Sequence, residues 1–160
     1  MKPVKKKTPA VRKSSKVKSP LKEPTPWEGV PDETEGLEGF VYLITHKATG
    51  KKYIGRKYFW AKTRVRVAGR KNRKRKTSTS DWAHYKSSCK ELKEQIVREG
   101  VDAFRYEILS CHATRAKTNY EEVRLQFQLD TLYAKLPHGD YEFYNSNILS
   151  RYFRPRSEKE

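Results

Sequence analysis

Tyr42 and Tyr53 stand eleven residues apart, and the second belongs to the tripeptide Tyr53-Ile54-Gly55. That spacing lets two strands of a tight hairpin carry one phenol each. A phenol with an ordinary pKa of about 10 is a poor base at neutral pH, so such a pair does chemistry only beside cations or metal-bound water. Cations are at hand. Residues 51–80 hold thirteen Lys and Arg and no Asp or Glu, and residues 1–25 hold nine against one acid, Glu23. These two stretches carry net charges of +13 and +8, so the rest of this 160-residue chain is net −4 against an overall +17. A localised excess of this kind points to a polyanion, because Lys and Arg that displace counterions from phosphates supply most non-specific nucleic-acid affinity.

Other catalytic patterns are missing. There is no GxxxxGK[ST], no HExxH, no GxSxG and no Cys/His cluster at zinc spacing, and the four histidines are scattered. No apolar run reaches the roughly 18 residues of a membrane span, and the basic N-terminus has no apolar core of a secretory signal behind it. Cys89 and Cys111 are too few for a disulfide framework and read as reduced thiols. A cytoplasmic protein that is not secreted is expected.

The elements that must position the tyrosines follow from pattern. Residues 1–25 hold four prolines and no aromatic, cannot offset their ordering entropy, and read as a disordered basic tail. Residues 26–38 are acidic and read as a linker unless Trp27 docks them. Phe40–Thr45 and Lys52–Tyr58 read as two strands around a turn ending at Gly50. Lys62 to Lys76 shows no apolar period and reads as a long solvated loop. Ser88-x-x-Glu91 reads as a capping box for a helix with Leu92, Ile96 and Val97 on its stripe and Gly100 at its end. Phe104–Leu109 alternates as a third strand. Thr118-x-x-Glu121 reads as a second capping box, opening a helix that carries Val123, Phe127, Asp130 and Ala134 on one face and stops before Pro137. The result is an α+β domain in the order β-β-α-β-α over residues 39–153, a three-stranded antiparallel sheet flanked by helices, with a short tail at 154–160.

With the hairpin in place, the pair Phe40-Val41-Tyr42 and Tyr53-Ile54-Gly55 resembles the two motifs of the GIY-YIG nucleases; Phe and Val replace the glycine and isoleucine of the first. The resemblance extends to Ser87-Ser88 behind His84, Tyr85 and Lys86, to Glu122 on the second long helix, and to Tyr144-Asn145 beyond it. It covers roughly residues 39–150 and is nearest to small phage-type members that resemble homing endonucleases. It implies a metal-dependent endonuclease that hydrolyses phosphodiester bonds of double-stranded DNA. The chemistry suits the residue types: a phosphodiester gains charge as water attacks, and one carboxylate can hold one hydrated Mg²⁺ (or Mn²⁺).

The same resemblance makes Glu122 the metal ligand, with Glu121 as competitor and capping residue. It makes Tyr42 the base or water-orienting group, Tyr53 its partner at the phosphate, and Asn145 a hydrogen-bonding residue at the end of the domain. The arginine on the scissile phosphate is Arg64, which lies nearest the expected offset, or Arg56, directly after the motif. DNA-backbone contacts are expected from Lys57, Lys62, Arg66, Arg70, Lys71, Arg73, Lys74, Arg75, Lys76 and Lys86. The competing reading is a non-catalytic basic protein that binds DNA or RNA. The basic runs suit both; only the set Tyr42, Tyr53, Glu122 and Asn145 favours the nuclease.

Overall fold

A computed structural model describes residues 19–156. Its centre is a four-stranded sheet in the order β1-β6-β2-β3, where β1 is Trp27–Glu28, β2 Gly39–His46, β3 Lys52–Tyr58 and β6 Phe104–His112. Strands β6, β2 and β3 form the antiparallel three expected from the sequence, and β1 joins the far edge parallel to β6. Side chains alternate across β2. Phe40, Tyr42 and Ile44 enter an aromatic core with Phe59, Phe104 and Tyr106, closed by Leu92 and Ile96 of helix α1 (Lys90–Glu99). Val41 points the other way, onto Ile54, Phe143 and Leu125 of helix α2 (Arg115–Gln128). The sheet is thus sandwiched between α1 and α2, and β3 is left as its second edge.

Several expectations need correction. Residues 26–38 are not a free linker: the Trp27 ring meets Phe40, Tyr42 and Tyr106 edge-on at 5.2–5.8 Å and donates from Nε1 to Trp82 O. The packing begins earlier still, since Leu21 lies against the aromatic core and Thr25 is buried. The tail expected over 1–25 therefore shortens at its inner end; residues 1–18 lie outside the described residues. At the other terminus Arg154 is no tail residue, because its guanidinium donates to the carbonyls of Thr131, Leu132, Phe143 and Asn145. Of the remainder of that expected tail, residues 157–160 lie outside the described residues.

The loop expected between Lys62 and Lys76 is a ribbon. Strands β4 (Trp60–Val65) and β5 (Lys74–Thr79) pair antiparallel, with Arg64 opposite Arg75 and Thr63 opposite Lys76. Trp60 roots it by donating from Nε1 to Leu37 O at 2.8 Å.

Both capping boxes fail. Helix α1 starts from Cys89, whose N–H goes to Ser87 Oγ, and Val97 on its expected stripe is half exposed. Helix α2 starts one turn earlier than expected, at Thr114, whose hydroxyl accepts from Lys117 N; Thr118 is interior and donates to Thr114 O. This helix also stops at Gln128, not before Pro137. Thr131 N–H reaches Gln126 O and Asp130 N–H reaches Phe127 O, with Asp130 at φ 48°, a Schellman cap built on aspartate.

Candidate active site

The edge of β3 is where the sequence's candidates meet. Tyr53 leaves this strand on the α1 side, and its hydroxyl lies 3.0 Å from Ser88 Oγ, the serine expected to cap α1. Arg56 leaves on the α2 side, and its guanidinium is ion-paired with Glu122. Wrapped around the edge strand in this way, Tyr53, Arg56, Ser88, Glu122, Gln126 and Asn145 line one cavity of about 520 Å³.

Each is positioned by its backbone. Thr118, Glu122 and Gln126 recur every fourth residue and form the buried face of α2, so a polar stripe faces β3 where an apolar one would usually pack. Glu121 points elsewhere, pairing with Arg124 and Lys117. The helix phase thus separates the two carboxylates. Asn145 acts as a surrogate strand: Oδ1 accepts from Ile54 N–H at 3.0 Å and Nδ2 donates to Ile54 O at 2.8 Å, satisfying the backbone groups that an edge leaves open.

Tyr42 stands apart. It is fully buried, does not line the cavity, and its hydroxyl has no hydrogen-bond partner among the described residues. It lies opposite Gly55 in register, and a Cβ on that glycine would sit 2.5 Å from the Tyr42 oxygen and 2.9 Å from Tyr53 Cε1. The glycine of Tyr-Ile-Gly is therefore needed for the two phenols to close over the strand.

Electrostatics follow burial. Desolvation pushes the Tyr42 phenol well above its ordinary value, with Tyr53 and Tyr85 adding to the rise. Desolvation likewise lifts Tyr53 to about 12, against the lowering effect of the Ser88 hydrogen bond. Glu122 is raised by burial, with the charge and hydrogen bonds of Arg56 pulling the other way. Neither phenol ionises near neutral pH in this state.

Not every candidate arrives here. Arg64 is exposed on the ribbon, opposite Arg75, and is not among the residues lining the cavity. Lys86 is buried, and its ammonium donates to Glu23 O, Thr25 Oγ1 and His84 O; as a backbone-bracing residue it has no donor free for DNA, which corrects that expectation. Lys57 is held by Asp81 at 2.5 Å and lies 4.0 Å over the Tyr85 ring. Sequence reasoning gave no role to Ser146, Asn147 or Leu149, which complete the cavity wall; lying past the last expected strand, they carried no periodic signal.

The family model described as "Putative endonuclease segE, GIY-YIG domain" matches residues 23–148. This chain belongs to the GIY-YIG endonuclease family. Its match starts before Thr25 and Trp27, in step with their packing on the core. No curated protein and no solved structure matches the chain. GIY-YIG endonucleases hydrolyse DNA phosphodiester bonds, and the non-catalytic reading gives way to an enzyme with DNA as its substrate.

GIY-YIG nucleases generally use divalent metal ions. Among the described residues no group of three or more His, Cys, Asp or Glu could cage an ion. What the cavity offers is one carboxylate, Glu122, with neutral oxygens of Ser88, Ser146 and Asn147 around open volume. A hard, hydrated cation with few protein ligands suits that donor set. No helix among the described residues is long and apolar enough to cross a membrane.

Proposed function

We propose that this GIY-YIG chain is a Mg²⁺- or Mn²⁺-dependent endonuclease of double-stranded DNA, similar in its cutting domain to homing endonucleases. The observation that carries the reading is the Arg56–Glu122 pair facing Tyr53 across the β3 edge, in a cavity open to solvent. It puts a cation, a lone carboxylate and a phenol around one space large enough for a phosphodiester.

Each residue has a task there. Arg56 releases part of its hold on Glu122 and donates to the scissile phosphate, offsetting the charge that builds as water adds to phosphorus. It takes the role that the sequence left between Arg64 and Arg56. Glu122 holds the cation, which when bound supplies Lewis-acid polarisation of a phosphoryl oxygen and a more acidic water. Tyr53, anchored by Ser88, directs its hydroxyl at the attacking water and keeps its proton. Tyr42 works from beneath, fixing Tyr53 and Gly55; with a buried hydroxyl it orients, while the proton of the attacking water passes to solvent through the open cavity and solvent protonates the leaving oxygen. Asn145 locks the β3 edge so that Tyr53 and Arg56 keep their separation.

The basic ribbon supplies backbone affinity. Lys62, Arg64, Arg66, Arg70, Lys71, Arg73, Lys74, Arg75 and Lys76 lie on or between β4 and β5 without an acidic residue among them. Plasmid cleavage in Mg²⁺, in Mn²⁺ and in EDTA tests the reading. Cleavage is expected in either metal, none in EDTA, and none from Glu122→Ala although that variant still shifts duplex DNA. Undiminished cleavage in EDTA would reject the metal, and a fully active Glu122→Ala would reject its ligand.

A further inference from the structure

The cavity wall ends in a small hairpin of which the chemistry above uses Asn147 alone. Strands β7 (Asn147–Ile148) and β8 (Tyr152–Phe153) are joined through Leu149, Ser150 and Arg151. Leu149 and Ser150 both take positive φ, 56° and 50°, and Arg151 N–H closes onto Ile148 O. Two successive left-handed residues make the kind of turn that selects Asn-Gly, because side chains beyond Asn and Asp are strained there. This chain puts leucine first, although Leu149 is 60% exposed and so gains little from burial. An exposed, strained apolar side chain at a turn tip is a cost that burial does not repay.

Its surroundings are rigid and aimed. Asn147 Oδ1 accepts from Ser150 N–H at 3.1 Å, and Arg154 pins the strand below to four carbonyls. Leu149 and Ser150 line the same cavity as Tyr53, Arg56 and Glu122. Behind the turn, the half-exposed rings of Phe127 and Tyr152 meet edge-on at 5.6 Å, with Arg151 alongside. This apolar tip flanked by a cation is therefore continuous with the space assigned to the scissile phosphate.

We infer that Leu149 is a wedge that enters the substrate duplex at the base step beside the scissile phosphate and unstacks it, with Phe127 and Tyr152 receiving the displaced base. Apolar wedges between base steps are a general way to kink DNA, and aromatic rings accept bases without regard to sequence. The inference rests on the nuclease reading above. A wedge would let the cleft, cut into the sheet edge, reach a phosphate that a straight duplex holds too far out. It would also favour flexible pyrimidine–purine steps, giving preference without hydrogen-bond readout.

The test uses the full chain and duplexes bearing 2-aminopurine at each step around a cleavage site mapped on plasmid DNA, with Glu122→Ala for binding and the active enzyme for rates. Fluorescence should rise at one step next to the cut, from the base that stays in the helix and has Leu149 in place of its stacking neighbour. Leu149→Gly relieves the positive φ, so its melting temperature should equal or exceed that of the wild type. It should nevertheless lose the fluorescence rise and cut intact duplex about tenfold more slowly. An abasic site at that step should restore its rate, and Leu149→Phe should keep wild-type behaviour. Unchanged fluorescence and rate in Leu149→Gly would overturn the wedge alone, leaving the nuclease reading intact. No cleavage by the wild type would take both down. A DNA-free dimer that Leu149→Gly dissociates would reassign the leucine to a subunit contact and equally overturn the wedge.

Discussion

The cleft on the β3 edge and the β4–β5 ribbon both carry arginine, yet they use it differently. In the cleft Arg56 meets a buried carboxylate, and its neighbours Tyr53 and Asn145 are each bonded to a defined partner. On the ribbon nine basic side chains stand within twenty residues, and among the described residues only Lys62 forms an ion pair, with Glu38. Charge held in fixed geometry can meet a charge that develops in one place during a reaction. Charge spread over a solvated ribbon can only attract and track a backbone. The difference separates rate from affinity, and variants should separate them too.

The largest effect belongs to the carboxylate. Glu122→Gln keeps shape and removes charge, and cleavage should fall by on the order of 10²–10³ or more while duplex affinity holds or rises. Gel-based cleavage and binding on the same preparation would show it; equal losses in both would mean misfolding, not a missing ligand. Glu121→Gln should leave the rate within about twofold, because Glu121 is paired outside the cavity with Arg124.

Arg56→Met comes next, with a loss of about 10² and a pH signature. Burial raises the Glu122 pKa and Arg56 opposes that rise. The carboxylate takes the cation only when ionised, so at metal concentrations well below saturation activity is lost as pH falls through its metal-free pKa, and the acid limb of the wild-type profile there should lie above that of an ordinary glutamate. Without the arginine the limb should move higher still. A limb that stays put in Arg56→Met would show that the two groups are uncoupled in the enzyme–DNA complex. Arg64→Met, by contrast, should leave the limb unmoved.

Asn145→Ala should act on both fold and rate. It strands the N–H of Ile54, at about 1–3 kcal/mol if no water replaces the amide, and leaves the C=O of Ile54 only the longer bond from Gln126 Nε2 at 3.5 Å. Melting temperature and rate should fall together, whereas Tyr53→Phe should lower the rate and leave melting within a degree or two. If Asn145→Ala melts like the wild type, water replaces the amide and the edge is not what holds the site.

How much of this was readable before folding depended on which faces meet water. The β2–β3 hairpin and the β6 partner were legible because Phe40, Tyr42, Ile44, Phe104 and Tyr106 alternate onto one core. Helix α1 was legible from Leu92, Ile96 and Gly100, but its start was not, because Ser88 turns to Tyr53 instead of capping. The site face of α2 was masked: Thr118, Glu122 and Gln126 are buried polar residues, so an apolar-stripe reading chose the face of Phe127, which is exposed. Its end was masked as well, with Asp130 doing what glycine usually does. The ribbon had no period to find, since a two-stranded sheet wet on both faces needs none; only the spaced Thr63, Val65, Thr77 and Thr79 hinted at strands. Choosing between Arg64 and Arg56 required knowing that ribbon, because only its pairing carries Arg64 out onto an exposed strand.

The smallest effect on the chemical step should come from the ribbon itself. Neutralising Arg73, Lys74, Arg75 and Lys76 together leaves the sheet core untouched, since all four are exposed and none touches the cleft. At low salt and saturating DNA the single-turnover rate should remain within about threefold of wild type, because the phosphate contact proposed for Arg56 is left unchanged. Affinity should behave otherwise. Each duplex phosphate that is no longer neutralised should flatten the dependence of log K on log salt by roughly 0.9, so removing four cations should take about 3–4 from the slope. Salt titration by fluorescence anisotropy measures that slope directly. A rate that collapses at saturation while the slope stays put would place the ribbon against the scissile strand, and the division between holding and cutting would then run through the ribbon, not between it and the cleft.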